Sequence, residues 1–169
     1  MSIRAAVRPD AAAIADIQNW MVRDTLATFT TDLRTVSDVE DWITIGMIWV
    51  AEQDGAVLGF ARLGPFRAGP GYAASFEHSV CLLPRAQGQG LGRALMGQVE
   101  QAAQQAGGHV LIAGISGANP DAIAFHHRLG FDKVGHMPQV GRKAEQWLDL
   151  ILMQKILSQT LPDSRAKAG

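Results

Sequence analysis

Three glycines in five positions, Gly88, Gly90 and Gly92, open a run of helical periodicity in the stretch RAQGQGLGRAL. Glycine weakens a helix, so its concentration at a helix start asks for a ligand. A helix N-terminus offers unpaired N–H groups and the positive end of the dipole, which together suit an anion. Gln87 and Gln89 add hydrogen-bonding groups, and Arg85 and Arg93 add charge. Phosphate fits best, but not through the common motifs. A P-loop needs Lys then Ser or Thr where this chain has Arg93-Ala94, and a dinucleotide fingerprint would put its last glycine elsewhere.

Other residues carry chemistry of their own. Glu77 interrupts the apolar run SFEHSVCLL, where a plain core strand avoids a carboxylate. Cys81, the sole cysteine, lies in that run without an activating neighbour and reads as a buried thiol; no intramolecular disulfide is possible. Asn119 before Pro120 reads as a helix N-cap with proline in the first turn. His126, His127 and His136 lack the i, i+4 spacing of a helical metal pair, so no metal is expected.

These residues need elements to hold them. IRAAV reads as a strand, and a helix starts near Pro9, with Ile14, Ile17, Met21 and Val22 at helical spacing. TTDLRT reads as a loop, and VSDVEDWITIG as a helix with Ser37 or Asp38 near its cap. MIWVAEQDGAVLGFARLG predicts a hairpin turning at Asp54-Gly55. The loop FRAGPGYAA precedes an extended SFEHSVCLLP. A helix from Leu91 then ends near Gly107 and Gly108, followed by a strand HVLIAGI and a helix NPDAIAFHHRLG. Strands at FDKVGHM and QWLDLILMQKI close the series. The order β-α-α-β-β-β-α-β-α-β-β implies an α/β (α+β) fold with a mixed sheet flanked by helices. One domain is expected over residues 1–157, with a frayed tail at 158–169.

The chain's 169 residues suffice for one substantial core, and 47% apolar with 18% charged residues is a globular composition. A net charge of −1 without a basic run gives no argument for nucleic acid. MSIRAAVRPD lacks the apolar core of a signal peptide, and no stretch approaches the ~20 apolar residues of a membrane span. A cytoplasmic protein is expected.

Gln87-x-x-Gly90-x-Gly92 after a strand resembles the pyrophosphate loop of the GNAT superfamily of N-acetyltransferases, which bind acetyl-coenzyme A (acetyl-CoA). FEHSVCLLPRAQGQGLGRAL, NPDAIAFHHRLGF and GHMPQVGRKAEQWLDLILMQ extend the likeness to the branch that acetylates phosphinothricin, methionine sulfoximine, methionine sulfone or ordinary amino acids. The resemblance implies a GNAT fold, acetyl-CoA as cosubstrate, an amine acceptor and a homodimer, with Trp147 and Leu148 as candidate dimer contacts.

It also implies roles. Glu77 would accept the amine's proton, and His78 and Ser79 would contact the substrate. Val80, Cys81 and Leu82 would lie along the pantetheine arm, with an N–H near Cys81 polarising the acetyl carbonyl. Gly88, Gln89, Gly90, Leu91, Gly92 and Arg93 would surround the pyrophosphate, with Gln87 beside them, and Asn119 would touch the pantetheine. His126 stands where many members have the tyrosine that protonates the departing thiolate, a step histidine can perform. Arg67 would pair with a substrate carboxylate. This chain departs from the branch at Ala73, where a second arginine is usual, and at Ala144 and Glu145, where an aromatic and a glycine are usual. Another amine acceptor (polyamine, aminoglycoside or peptide), a non-catalytic acyl-CoA-binding module, and glycines that serve folding alone are the competing readings.

Overall fold

In the computed structural model, residues 1–157 are described; the tail expected at 158–169 lies outside the described residues. From the N-terminus, β1 (Ser2–Ala5) passes through a 3-10 turn (Arg8–Asp10) into α1 (Ala11–Asp24) and then α2 (Val36–Ile45). Three antiparallel strands follow, β2 (Ile48–Gln53), β3 (Ala56–Pro65) and β4 (Ser75–Leu82). Next come α3 (Leu91–Gln105), β5 (Val110–Ser116), α4 (Pro120–Arg128), β6 (Asp132–Lys143) and β7 (Gln146–Ile156). This is the expected order. The seven-stranded sheet runs β1-β2-β3-β4-β5-β7-β6, antiparallel except between β4 and β5.

Strand alternation gives the sheet two apolar faces. On one, α1 and α2 bury Ile14, Ile17 and Val39 against Val50, Phe60 and Cys81. On the other, α3 buries Leu95, Met96 and Val99 against Leu63, Leu111, Ala113 and Met153, with Phe125 of α4 packed alongside. Burying an aliphatic side chain of this size contributes about 1.5–3 kcal/mol, so both helical layers are held chiefly by the sheet.

Local chemistry explains most boundaries. Asp54 and Gly55 take the two left-handed positions of the β2–β3 turn, with φ 52° and 79°. The α2 cap is Thr35 rather than Ser37. Its Oγ1 accepts from the Asp38 N–H at 3.1 Å while its own N–H donates to Asp38 Oδ2 at 2.7 Å. β6 runs six residues past the expected segment FDKVGHM, because a bulge between Met137 and Gly141 absorbs the irregularity. The bulged Gln139 N–H donates to Asp149 Oδ1 at 2.9 Å. Leu148 is buried, contrary to its expected role in a dimer contact, whereas Trp147 is 60% exposed.

What positions the site is a failure of pairing. β4 and β5 are paired only over Ser75–Glu77 against Val110–Ile112. Beyond that point β4 follows β3, β5 follows β7, and a gap opens between the two central strands.

Candidate active site

The backbone of β4 shows which groups face the gap. Phe66 N–H donates to Ser75 O and Leu83 N–H to Leu58 O, so odd-numbered β4 residues spend their hydrogen bonds on β3. Val80 and Leu82 therefore turn their N–H and C=O toward the gap, where no strand partner exists among the described residues. Cys81, the residue whose neighbourhood was expected to supply the polarising N–H, is committed to the ladder with Phe60. Its thiol is buried and pushed up to about 12 by desolvation, which keeps it protonated and inert.

The gap widens into a slot of ≈ 190 Å³ between His78, Ser79 and Val80 on one strand and Ala113, Gly114 and Ile115 on the other. It continues into a groove of ≈ 700 Å³ that passes Val80, Cys81 and Leu82 and reaches Gln87, Gly88, Gly90, Gly92 and Arg93. Asn119 and His126 line both parts. Gln18, Met21 and residues 25–28, from α1 and the loop after it, form the opposite wall. That wall is not legible in LATFT, a stretch without titratable or nucleophilic residues of note. The loop is held at a distance by Lys143, whose buried Nζ donates to Thr25 O at 2.8 Å and Thr28 O at 2.9 Å.

At the far end of the groove, Gly88 and Gly90 have φ of 76° and 81°, and nothing lies within 4 Å of a Cβ built on either. Only glycine adopts this loop without strain, and the open space is on the backbone's own surface. The first turn of α3 closes with Ala94 N–H on Gly90 O at 3.0 Å, so the N–H groups of Leu91, Gly92 and Arg93 have no helical acceptor. Two expected contacts act differently from the rest. The Gln89 side chain donates back to Arg85 O at 2.8 Å, and the Leu91 side chain is buried in the core, which leaves their backbones at the loop. Asn119 Oδ1 accepts from Ala122 N–H at 3.2 Å as the α4 cap; its amide N–H₂ remains available.

Glu77 projects from the face of the sheet that carries α1 and α2, opposite Gly64 in register. Its Oε1 lies 3.3 Å from where a Cβ on Gly114 would stand, so glycines flank it on both neighbouring strands. Burial raises its pKa above the ordinary carboxylate value. Ser79 shares this face, and strand alternation sends His78 to the other. Arg67 follows β3 on the glycine-rich loop, its guanidinium over the Phe66 ring at 5.2 Å.

His78, expected to touch substrate, lines the slot yet is largely buried, its Nε2 2.9 Å from His126 Nε2. His126 Nδ1 lies 2.8 Å from Ala122 O, which requires Nδ1–H and leaves Nε2 to accept from His78 Nε2–H. Burial holds both rings below the ordinary histidine pKa, His78 down to about 3. His126 thus lies on the slot wall, with Nδ1 bonded to Ala122 O and Nε2 turned to His78.

The splayed central strands, the glycine loop at a helix start and a carboxylate beside the gap define an acetyltransferase. The acetyltransferase (GNAT) family model matches residues 14–131. The chain is 39% identical to the L-methionine sulfoximine/L-methionine sulfone acetyltransferase of Salmonella typhimurium, across 97% of this chain and 99% of that one. A ribosomal-protein-alanine N-acetyltransferase from Brucella melitensis superposes with a TM-score of 0.88 at 40% identity, covering 93% of this chain and 100% of that one. The phosphinothricin acetyltransferase of Sinorhizobium meliloti, solved with acetyl-CoA, gives 0.87 at 32% identity over 94% and 90% of the two chains. The chain belongs to the GNAT family of acetyltransferases, and it is an N-acetyltransferase.

Proposed function

We propose that this enzyme acetylates the amino group of a small amino acid or analogue, of the methionine sulfone, methionine sulfoximine or phosphinothricin kind. The observation that carries the reading is the half-buried Glu77 carboxylate set between Gly64 and Gly114 beside the interstrand slot. The relatives named for such substrates support it.

Acetyl-CoA, when bound, supplies the activated acetyl thioester. The groove fits it: the free N–H groups from Leu91 to Arg93 and the open backbone at Gly88 and Gly90 suit the pyrophosphate. The gap-facing N–H groups of Val80 and Leu82 suit the amides and carbonyl of the arm, as does the amide of Asn119. Gln87 and Arg93 line the same end. Glu77 accepts the proton of the amine, directly or through one water; its raised pKa brings it nearer the operating pH. Ser79 lines the acceptor side, and Arg67 is a candidate contact from the exposed loop after β3. Cys81 forms no acyl intermediate because its thiol stays protonated. We assign His126 to the wall of the slot, with His78 fixing its ring.

A cytoplasmic setting, where acetyl-CoA is at hand, goes with this reading. A homodimer is proposed from the exposed Val134, Met137 and Val140 on edge strand β6 and the neighbouring Trp147. A second reading, acetylation of a peptide's terminal amine, is favoured by the Brucella relative and by the unfilled space at Gly69 and Gly71.

Thiol release from acetyl-CoA over methionine sulfone, methionine sulfoximine, phosphinothricin, ordinary amino acids, polyamines, aminoglycosides and an alanine-started peptide decides among these. Turnover highest on a free amino acid supports the proposal. Turnover confined to the peptide or to a polycation overturns it, and binding of acetyl-CoA with no turnover on any amine indicates a binding module.

A further inference from the structure

Arg62 is a half-buried guanidinium without a counter-ion. It takes part in none of the ion pairs or side-chain hydrogen bonds of the described residues. Its carbon sits 4.4 Å from the centre of the Trp42 ring, and a second cation, Arg34, stands over the same ring at 5.7 Å. A cation drawn partly out of water beside a like charge is unfavourable unless an anion joins it, and the aromatic face compensates only in part.

Its place in the sheet is specific. The core under α1 and α2 ends at Phe60 and Cys81; the next cross-strand pair on that face is Arg62 with Ser79, and the one after is Gly64 with Glu77. Arg62 and Glu77 are therefore diagonal neighbours on one face, about 7–8 Å apart at the backbone, within reach of an arginine side chain. Between them a Cβ on Gly64 would meet nothing within 4 Å. An open floor separates a base from an unpaired cation, and an α-amino acid carries an amine and a carboxylate on a single carbon.

We infer that Arg62 binds the carboxylate of the acceptor while Glu77 takes the proton of its amine, which makes Arg62 the residue that selects amino acids over simple amines. The inference rests on the amino-acid reading above. Arg67 is a weaker candidate: it is exposed and hangs from the glycine-rich loop, whereas a strand and the Trp42 stack fix Arg62. The forked guanidinium also suits a carboxylate better than a lysine ammonium does.

The test compares methionine sulfone with the amine left when its carboxylate is removed, using the full chain. Arg62→Gln raises KM for methionine sulfone by about 10- to 100-fold, the usual effect of losing a charge-assisted contact. It leaves KM for the carboxylate-free amine and the affinity for acetyl-CoA unchanged, the latter showing an intact fold. Arg62→Lys recovers part of the loss, and Arg67→Gln has the smaller effect. An equal rise for both acceptors, no rise for methionine sulfone, or a selective loss in Arg67→Gln alone overturns the assignment while amino-acid acetylation by the wild type stands. A wild type that acetylates only the carboxylate-free amine overturns both.

Discussion

Glu77 Oε1 fills the space above Gly114: a Cβ there would lie 3.3 Å from this oxygen and 3.6 Å from Leu150 Cδ1. The base is held by the absence of a side chain on the neighbouring strand. Gly114→Ala asks the carboxylate to yield by a few tenths of an ångström, and Gly114→Val displaces it. We expect kcat to fall about tenfold and about 100-fold respectively, with acetyl-CoA affinity preserved, because small misplacements of a reacting group are costly. Steady-state kinetics on both variants checks this.

His78 carries a pH signature. Its folded pKa, about 3, lies below the 6.5 of a free histidine, so between these values the unfolded chain binds more protons. The stability from keeping His78 neutral is complete above pH 6.5 and is lost as pH falls toward 3, with His126 shifted in the same direction. His78→Phe removes the donor to His126 Nε2 and costs about 1–3 kcal/mol near neutrality. Urea unfolding on either side of pH 6.5 should show a shallower acid dependence in the variant than in wild type.

Lys143 is the clamp on the loop that walls the groove. Besides its bonds to Thr25 O and Thr28 O, the Phe29 ring lies against the bare backbone of Gly141 on the same strand. Lys143→Met keeps much of the side-chain volume and removes both bonds. The expected result is a rise in KM for both substrates, about tenfold, with a smaller change in kcat.

The β6–β7 turn is strained. Ala144 and Glu145 occupy left-handed positions, φ 47° and 59°, where the β2–β3 turn has Asp and Gly. Glu145→Gly relieves about 1 kcal/mol and raises Tm by about 2–4 °C, measured by calorimetry.

Periodicity and turn chemistry made most elements legible. Asp54-Gly55 marked the hairpin, Asn119-Pro120 the start of α4, and the alternating QWLDLILMQKI the last strand. FDKVGHM marked only the first part of β6, because the Asp149 carboxylate that accepts from the bulged Gln139 N–H lies on another strand. Within the site, Gly88, Gly90, Glu77 and Asn119 announced themselves by residue type, whereas tertiary pairing decided the rest. Which β4 amides are free depends on their parity with β3, which narrows an N–H near Cys81 to those of Val80 and Leu82. The turning of His78 toward His126 depends on the same alternation. Arg62 reads in sequence as an ordinary strand arginine; only the lack of a counter-ion in the fold sets it apart.

The central claim is that Glu77 is the base. The most direct measurement is the pH dependence of kcat/KM on methionine sulfone for wild type and Glu77→Gln, with acetyl-CoA affinity measured in parallel. The account predicts a loss of about 10²- to 10⁴-fold in the variant with acetyl-CoA binding intact. It also predicts a wild-type rate that falls on acidification through a carboxyl pKa above the ordinary 4.5. A variant that turns over near the wild-type rate, with the same pH profile, would contradict it.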